Sequence, residues 1–269
     1  MKKPLVSIIL STYNGKTKWL SESIESVLNQ TYRNFEFIII NDCSTNNVEK
    51  IILDYKEKDK RIIYIKNKRN LKLTKSLNKG LELSQGEYIA RIDDDDIWCN
   101  KEKLQKQVEF MEKNTDYGLC GTSTIIIDKK GKIISKSLMR ESNKEIKNNL
   151  LKSNQFTHSS ILLKKSILNK IGGLYNPKYN GAEDYELWLR IGRISRLYNI
   201  PEYLVKYRWL ETSISRKKWL EQEYLALKVM IKNKKYYPYF YKSLILRLST
   251  LIIPKKIKKY ILSKIKIIK

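Results

Sequence analysis

The 269-residue chain is poor in several residue types, and each shortage closes off a class of protein. Its three cysteines, Cys43, Cys99 and Cys120, are far apart and form no C-x-x-C pair, which argues against a disulfide framework or a zinc site and suits a reducing cytoplasm. No apolar run approaches the ~18 residues of a membrane-crossing helix, and Val6–Leu10 is too short for a signal-peptide core. No G-x-G-x-x-G follows that first run, which excludes a dinucleotide fingerprint. No G-x-x-x-x-G-K-[ST] occurs, which excludes a P-loop. No internal repeat is visible. Acidic residues are scarce beside basic ones, 28 against 54, giving a net charge of +26, and none follows Glu223. Such a charge attracts anions: nucleic acid, acidic lipid or nucleotide phosphates. The lysines are spread along the chain and are densest at its C-terminus, not gathered with aromatics on one recognition element, so no nucleic-acid partner is expected.

What is present alternates. With 42% hydrophobic residues the chain can bury a substantial core. Apolar runs at Leu5–Leu10, Phe35–Ile40, Arg61–Ile65 and Glu87–Ile92 read as strands. Between them Leu20, Ile24, Val27 and Leu28, then Val48, Ile51, Ile52 and Tyr55, then Leu73, Leu77 and Leu81 recur at helical spacing. Strand and helix in turn predict a parallel sheet with right-handed crossovers. Beyond residue 98 the rhythm changes. A helix at Leu104–Met111 leads to a hairpin of 121–127 and 132–137. A helical stretch covers 141–152, followed by a strand at 159–163. A helix starts just after Glu183-Asp184, and two short strands lie at 196–199 and 203–207. From Arg216 the pattern is helical, broken near Pro238 and Pro254. The fold class expected is α/β, a mostly parallel Rossmann-like sheet flanked by helices, with a helical C-terminal appendage. Its divisions are a nucleotide-binding half at 1–98, an acceptor half at 99–215, and a basic amphipathic region at 216–269.

The polar residues gather at strand ends: Thr12-Tyr13-Asn14 after the first, Asn41-Asp42 after the second, and Asp93-Asp94-Asp95-Asp96 after the fourth. In a doubly wound sheet such ends meet along one edge, where ligands sit. Four adjacent carboxylates repel one another and call for a cation, and oxygen donors suit Mg²⁺ or Mn²⁺. A metal bridging two phosphates, with Asp42 accepting from a base or ribose, describes a nucleoside-diphosphate site. The bland alternatives are a solvated acidic loop for the cluster and helix capping for Ser44 and Thr45. A nucleotidyltransferase would share sheet and metal, but it calls for a Gly-rich basic loop after the first strand, and Ser11–Gly15 is not one.

Four motifs in order, Val6–Asn14, Asn41–Thr45, Asp93–Asp96 and Gly181-Ala182-Glu183-Asp184-Tyr185-Glu186-Leu187-Trp188, resemble those of the family 2 inverting glycosyltransferases of GT-A fold. The resemblance runs from about residue 4 to about residue 215. It implies sugar transfer from a nucleotide sugar, first of all a UDP-sugar, with Mn²⁺ or Mg²⁺. The acceptor would be a saccharide or a lipid-linked one, in cell-surface polysaccharide synthesis such as that of capsule or lipopolysaccharide. Carried over position by position, Asp42 resembles the base- and ribose-contacting aspartate. Asp93 and Asp95 resemble the D-x-D metal pair, with Asp96 as an added acid. Thr12, Tyr13, Asn14, Asn70, Asp93 and Asp94 belong to the donor site, with Asn78 in the segment covering the nucleotide. Asp184 resembles the catalytic base, with Glu183 beside it. The chain departs from the family pattern at Cys43 and Lys72, where glycine is frequent, and at Tyr207-Arg208-Trp209-Leu210, where a histidine is missing. The single histidine, His158, stands where relatives often place one.

The chemistry asks for such a set. The leaving diphosphate gathers negative charge, which a dication neutralises, and the attacking hydroxyl must lose a proton, which one carboxylate takes. A glycosidase, with its poorer leaving group, needs two carboxylates. The basic tail adds a further expectation. Leu244, Leu248, Leu251 and Ile252, then Ile257, Ile261, Ile265 and Ile268, recur at helical spacing among lysines, after aromatic Tyr236, Tyr237, Tyr239, Phe240 and Tyr241. Basic residues near an anionic bilayer contribute about 1 kcal/mol each. The tail is therefore expected to hold the protein at the inner face of the cell membrane, unless these helices pack on the catalytic domain instead.

Overall fold

A computed structural model describes residues 3–210 and 219–252. Strand β1 (Val6–Thr12), helix α1 (Thr17–Leu28), β2 (Phe35–Asn41), α2 (Val48–Lys58), β3 (Ile62–Lys66), α3 (Leu73–Leu83) and β4 (Tyr88–Arg91) alternate as the sequence predicts. The four strands lie in the order β3-β2-β1-β4, all parallel. β1 and β2 are buried on both faces, which explains their unbroken apolar runs. Their residues divide with a period of two. Ile8, Leu10, Phe37 and Ile39 pack with Leu20, Ile24 and Ile52 of α1 and α2, while Ile9, Ile38 and Ile40 pack with Leu77 and Leu81 of α3.

The second half extends this sheet with mixed neighbours. Its elements are β5 (Ile97–Trp98), α4 (Lys103–Lys113), β6 (Tyr117–Ile127), β7 (Ile133–Ser137), α5 (Asn143–Asn149), β8 (Leu162–Lys164), α6 (Lys165–Lys170), α7 (Glu183–Ile194) and β9 (Arg196–Arg208). The sheet continues from β4 through β8, β6, β9 and β5, with the hairpin strand β7 on β6. β8 runs antiparallel to both β4 and β6, and β9 runs parallel to β6.

Two local expectations change. The strand predicted from Ser159 begins at Leu162, because residues 158–160 form a 3₁₀ turn in which Ser160 Oγ donates to the Thr157 carbonyl at 2.8 Å. The two strands predicted around Pro201 are one, β9. Its register against β6 shifts where Ile200 is paired with Thr122 and Tyr203 with Ser123. A proline lacks the N–H a ladder needs, and a register shift absorbs it without ending the strand.

Helices α8 (Trp219–Asn233) and α9 (Phe240–Ile252) close the described chain. They pack on the α/β body. Val229 and Met230 are fully buried in the cluster that holds Leu187, Trp188 and Ile191 of α7. The Tyr237 hydroxyl donates to the Leu189 carbonyl at 2.6 Å, and Arg193 Nε donates to Asn233 Oδ1 at 3.0 Å. Arg247 of α9 donates to the Leu151 carbonyl at 3.2 Å and to Glu223 at 3.1 Å. Packing on the catalytic body is thus realised for both helices. The expected boundary at residue 216 and the Ile257, Ile261, Ile265 and Ile268 set lie outside the described residues. Among the described residues no helix is long and apolar enough to cross a membrane.

Candidate active site

Because β1, β2 and β4 are parallel, their C-terminal ends open on the same edge, and the three polar loops meet there. Asn14, in a left-handed conformation (φ 53°), ties the first two together. Its backbone N–H donates to Ser44 Oγ at 2.9 Å, and its side-chain oxygen accepts from the Thr45 N–H at 2.8 Å. Asp42 is 2% exposed. Its Oδ1 accepts from Asn67 and from the Leu71 N–H, both at 2.8 Å, and its Oδ2 accepts from the Lys72 N–H at 2.9 Å. Asp42 therefore shapes the 70–72 loop and keeps acceptor capacity on Oδ2. Cys43 and Lys72 have φ of 64° and 68°, which explains why glycine suits both positions.

The acidic loop gives its four aspartates different surroundings. Arg91, at the end of β4 and 2% exposed, donates both terminal nitrogens to the Asp93 carboxylate. Asp94 accepts from Thr12 Oγ1 at 2.5 Å. Gly15 makes room for this pair, since a Cβ there would stand 2.2 Å from Asp94 Oδ2. Asp96 is fully buried, with Oδ1 accepting from the Arg208 N–H at 2.8 Å and Oδ2 from Ser159 Oγ at 2.5 Å. Arg208 braces the loop a second time by donating from Nε to the Asp95 carbonyl at 2.9 Å. Asp95 is half-buried and lines the cavity. Burial, then the neighbouring carboxylates, push it up to about 9. Asp94 rises to about 6, chiefly through burial.

The second acid pair begins α7. Gly181, at φ 103°, turns the chain into the helix. Glu183 is 4% exposed and accepts from the Gly181 N–H at 2.5 Å. Asp184 is half-buried, with Oδ2 accepting from Asn154 at 2.7 Å and Oδ1 from the Tyr185 N–H at 2.6 Å. Burial raises both carboxyls, and the Asp184 charge adds to the effect on Glu183, which reaches about 7. His158 shares the Tyr175 hydroxyl at 2.7 Å and packs edge-on against Trp188 at 5.7 Å. Burial, then the charge of Arg91, keep it well below the ordinary histidine range and therefore neutral.

One cavity of about 1350 Å³ collects these groups. Tyr13, Asp42, Asn70, Asp93, Asp94, Asp95, Glu183 and Asp184 all line it. Three of the predicted residues do not. Thr12 is buried and spends its hydroxyl on Asp94, and Asn14 is exposed and spends its side chain on the Thr45 turn. Asp96 is fully buried and does not line the cavity, and its oxygens accept from the Arg208 N–H and Ser159 Oγ, so it positions the loop. Asn78 likewise leaves the covering segment, since its side chain exchanges two hydrogen bonds with the Tyr175 backbone. Sequence reasoning missed the roles of Arg91, Ser159, Asn154 and Arg208. Arg91 carried a signal as a charge ending an otherwise apolar strand, and Arg208 as part of Tyr207-Arg208-Trp209-Leu210.

Among the described residues no three His, Cys, Asp or Glu side chains converge into a metal cage. The donors nevertheless fit a hard dication. Asp95 lines the cavity crowded by the like charges of Asp96, Asp93 and Asp94, and Mg²⁺-type sites commonly use one or two carboxylates and complete their shell with substrate phosphates.

Residues 7–172 match the glycosyl transferase family 2 profile. An uncharacterized glycosyltransferase of Methanocaldococcus jannaschii is 41% identical over 251 residues, 90% of this chain and 86% of that one. The chain belongs to glycosyl transferase family 2. The amylovoran biosynthesis glycosyltransferase AmsE of Erwinia amylovora is 31% identical over 206 residues, 76% of each chain. Among solved structures, S. aureus TarS 1-349 with UDP-GlcNAc superposes with a TM-score of 0.68 at 17% identity, over 91% of this chain and 71% of that one. In another crystal structure of the same fragment the chain spans 64% of its length. The mannosyltransferase PcManGT of Pyrobaculum calidifontis, with GDP-Man and Mn²⁺, gives a TM-score of 0.65 at 15% identity, over 93% and 75%. At such identities the two structures establish the GT-A fold alone.

Proposed function

We propose that this glycosyltransferase moves a sugar, with inversion, from a UDP-sugar to a saccharide or lipid-linked acceptor in cell-surface polysaccharide synthesis. The carrying observation is that one cavity holds the nucleotide edge, the acidic loop and the α7 acid pair. AmsE, named for amylovoran biosynthesis, supports the polysaccharide context. TarS with UDP-GlcNAc and PcManGT with GDP-Man and Mn²⁺ support a nucleoside diphosphate sugar and a divalent cation, Mn²⁺ or Mg²⁺.

In this reading Tyr13, 52% exposed at the cavity, stacks on the base, and Asp42 Oδ2 and Asn70 take nucleoside hydroxyls or base N–H groups. Asp95 and Asp93 would hold the metal, with Asp94 beside them. When bound, the metal neutralises the charge that the leaving diphosphate gathers. Asp184, half-exposed to the cavity and fixed by Asn154 and the Tyr185 N–H, takes the proton of the acceptor hydroxyl. Glu183, more deeply buried and held by the Gly181 N–H, sets the charge beside it. His158, neutral and bonded to Tyr175, supports the wall between the two acid groups.

The direct test is calorimetry of UDP binding with Mn²⁺ and with EDTA, followed by a screen of nucleotide sugars for turnover. Tighter binding with metal, and its loss in Asp95→Ala, is the expected result. Equal affinity in both buffers would sink the metal assignment, and no turnover of any nucleotide sugar would sink the transferase assignment.

A further inference from the structure

Helix α9 presents three different faces. Phe240, Ser243, Leu244 and Arg247 turn toward the body of the protein, where Ser243 is 3% and Arg247 8% exposed. Leu246, Arg247 and Ser249 line the active-site cavity. A third face carries Tyr241, Ile245 and Leu248, which are 78%, 67% and 42% exposed. Their spacing of four and then three residues stacks them in one stripe along the helix. Scattered surface apolar residues need no explanation, but a continuous ridge on a wall of the active site does.

The surroundings of the ridge select its occupant. From Tyr224 to Lys269 the sequence has thirteen Lys and Arg and no Asp or Glu. Lys234, Lys235 and Lys242 lie on or just before α9. The chain runs on past it through Pro254-Lys255-Lys256-Ile257-Lys258-Lys259, with Ile and Lys interspersed to its end. Tyr239 and Tyr236, 58% and 46% exposed, lie in the segment just before α9. Tyrosines beside an apolar ridge within a purely cationic segment match the head-group level of an anionic bilayer, where aromatics and snorkelling lysines are both satisfied. A second copy of the chain would bring a second cationic segment against the first, which repulsion opposes.

We propose that the Tyr241–Ile245–Leu248 face of α9 docks on an anionic lipid bilayer, placing the cavity that α9 lines beside the membrane so that a lipid-linked acceptor reaches Asp184 from the bilayer. The part that concerns the acceptor rests on the glycosyltransferase reading above. Docking itself does not.

The experiment uses the full chain and the double variant Tyr241→Glu/Ile245→Glu, with vesicles of phosphatidylglycerol and phosphatidylcholine mixed, or of phosphatidylcholine alone. Thermal unfolding and UDP affinity are measured alongside. The native chain is expected to co-sediment with the mixed vesicles at least tenfold more than with the neutral ones. The variant should lose at least tenfold of that binding while unfolding at a similar temperature, binding UDP as before and keeping turnover on a water-soluble acceptor. Should the double variant fail to fold, Ile245→Ser alone carries the same comparison. Binding that is unchanged in the variant overturns the proposal, as does equal binding to neutral vesicles. A native dimer that the variant turns into a monomer also overturns it, because the face is then a contact between copies. Vesicle binding lost as expected, in a protein that turns over no nucleotide sugar, upholds the docking and refutes the glycosyltransferase reading separately.

Discussion

The two acid clusters of the active site are built in opposite ways. Asp93–Asp96 are four neighbours in sequence that the fold separates by role: Asp93 is clamped by Arg91, Asp94 by Thr12, Asp96 is sealed inside, and Asp95 is left facing the cavity. Glu183 and Asp184 are two neighbours that a helix start holds together, each engaged by a backbone N–H. Arg91 lies between the clusters electrostatically. It pairs with Asp93, and its charge is also felt at Glu183 and Asp184. Adjacent carboxylates therefore do not share a function by virtue of adjacency. The partner each one finds decides.

The comparison is broken most forcefully at the base. Asp184→Asn keeps size and most hydrogen bonding but cannot accept the proton, so turnover should fall by roughly 10²–10⁴-fold with UDP affinity nearly unchanged. Glu183→Gln should be milder. Near-normal turnover in Asp184→Asn with loss in Glu183→Gln would move the base by one residue.

Within the acidic loop, Asp95→Ala and Asp96→Ala should fail differently. Removing Asp95 should abolish the metal's gain in UDP affinity while leaving the unfolding temperature equal or higher, because a carboxyl crowded by its acidic neighbours is gone. Removing Asp96 strands the buried Arg208 N–H, at a cost of about 1–3 kcal/mol, while Ser159 Oγ can still donate to Asp93, so denaturant unfolding should report the loss. Identical behaviour of the two variants would refute the division of labour.

The pH dependence sharpens the second cluster. With Glu183 at about 7 and Asp184 also raised, turnover at saturating donor should rise with pH through neutrality, with an apparent value that belongs to the pair. Stability runs the other way. A carboxyl whose folded value is raised binds its proton more tightly when folded, so its contribution is full below the unfolded value and is lost as pH rises through the folded one. Unfolding by urea at pH 5 and pH 8 checks the sign.

The smallest effect lies at the nucleotide edge. Cys43 holds a left-handed φ of 64° that glycine adopts without strain, so Cys43→Gly should leave activity intact and stabilise the fold by about 0.5–1 kcal/mol. A loss of stability in thermal unfolding would show that the Cys43 side chain, with its 3.8 Å contact to the Lys68 carbonyl, matters more than the backbone.

The first half was legible because its signal is local. Doubly buried strands must be apolar throughout, so β1 and β2 stand out as runs, and Leu20, Ile24 and Val27 mark the helix that covers them. The second half was less legible. β8 and the 3₁₀ turn before it depend on Ser159 and Ser160 bonding to groups distant in sequence, and β9 passes Pro201 because β6 lies beside it. The contacts of Arg208 could not be placed from sequence, since Glu22, Asp95 and Asp96 are more than a hundred residues away and Asp128 is 80 residues away.

The sequence by itself determined which chemistry was possible: carboxylates at the ends of parallel strands, a separate acid pair before a helix, and a cationic tail without a single acid. Hydrophobic periodicity and charge are properties of residues and their near neighbours, so they can be read in one dimension. Tertiary structure alone decided which carboxylates face the cavity and which are spent inside. It also decided that α8 and α9 wall the site. A buried carboxylate must find donors, and whether Ser159, Thr12, Arg91 or Arg208 supplies them depends on strands brought together across as many as 112 residues of sequence.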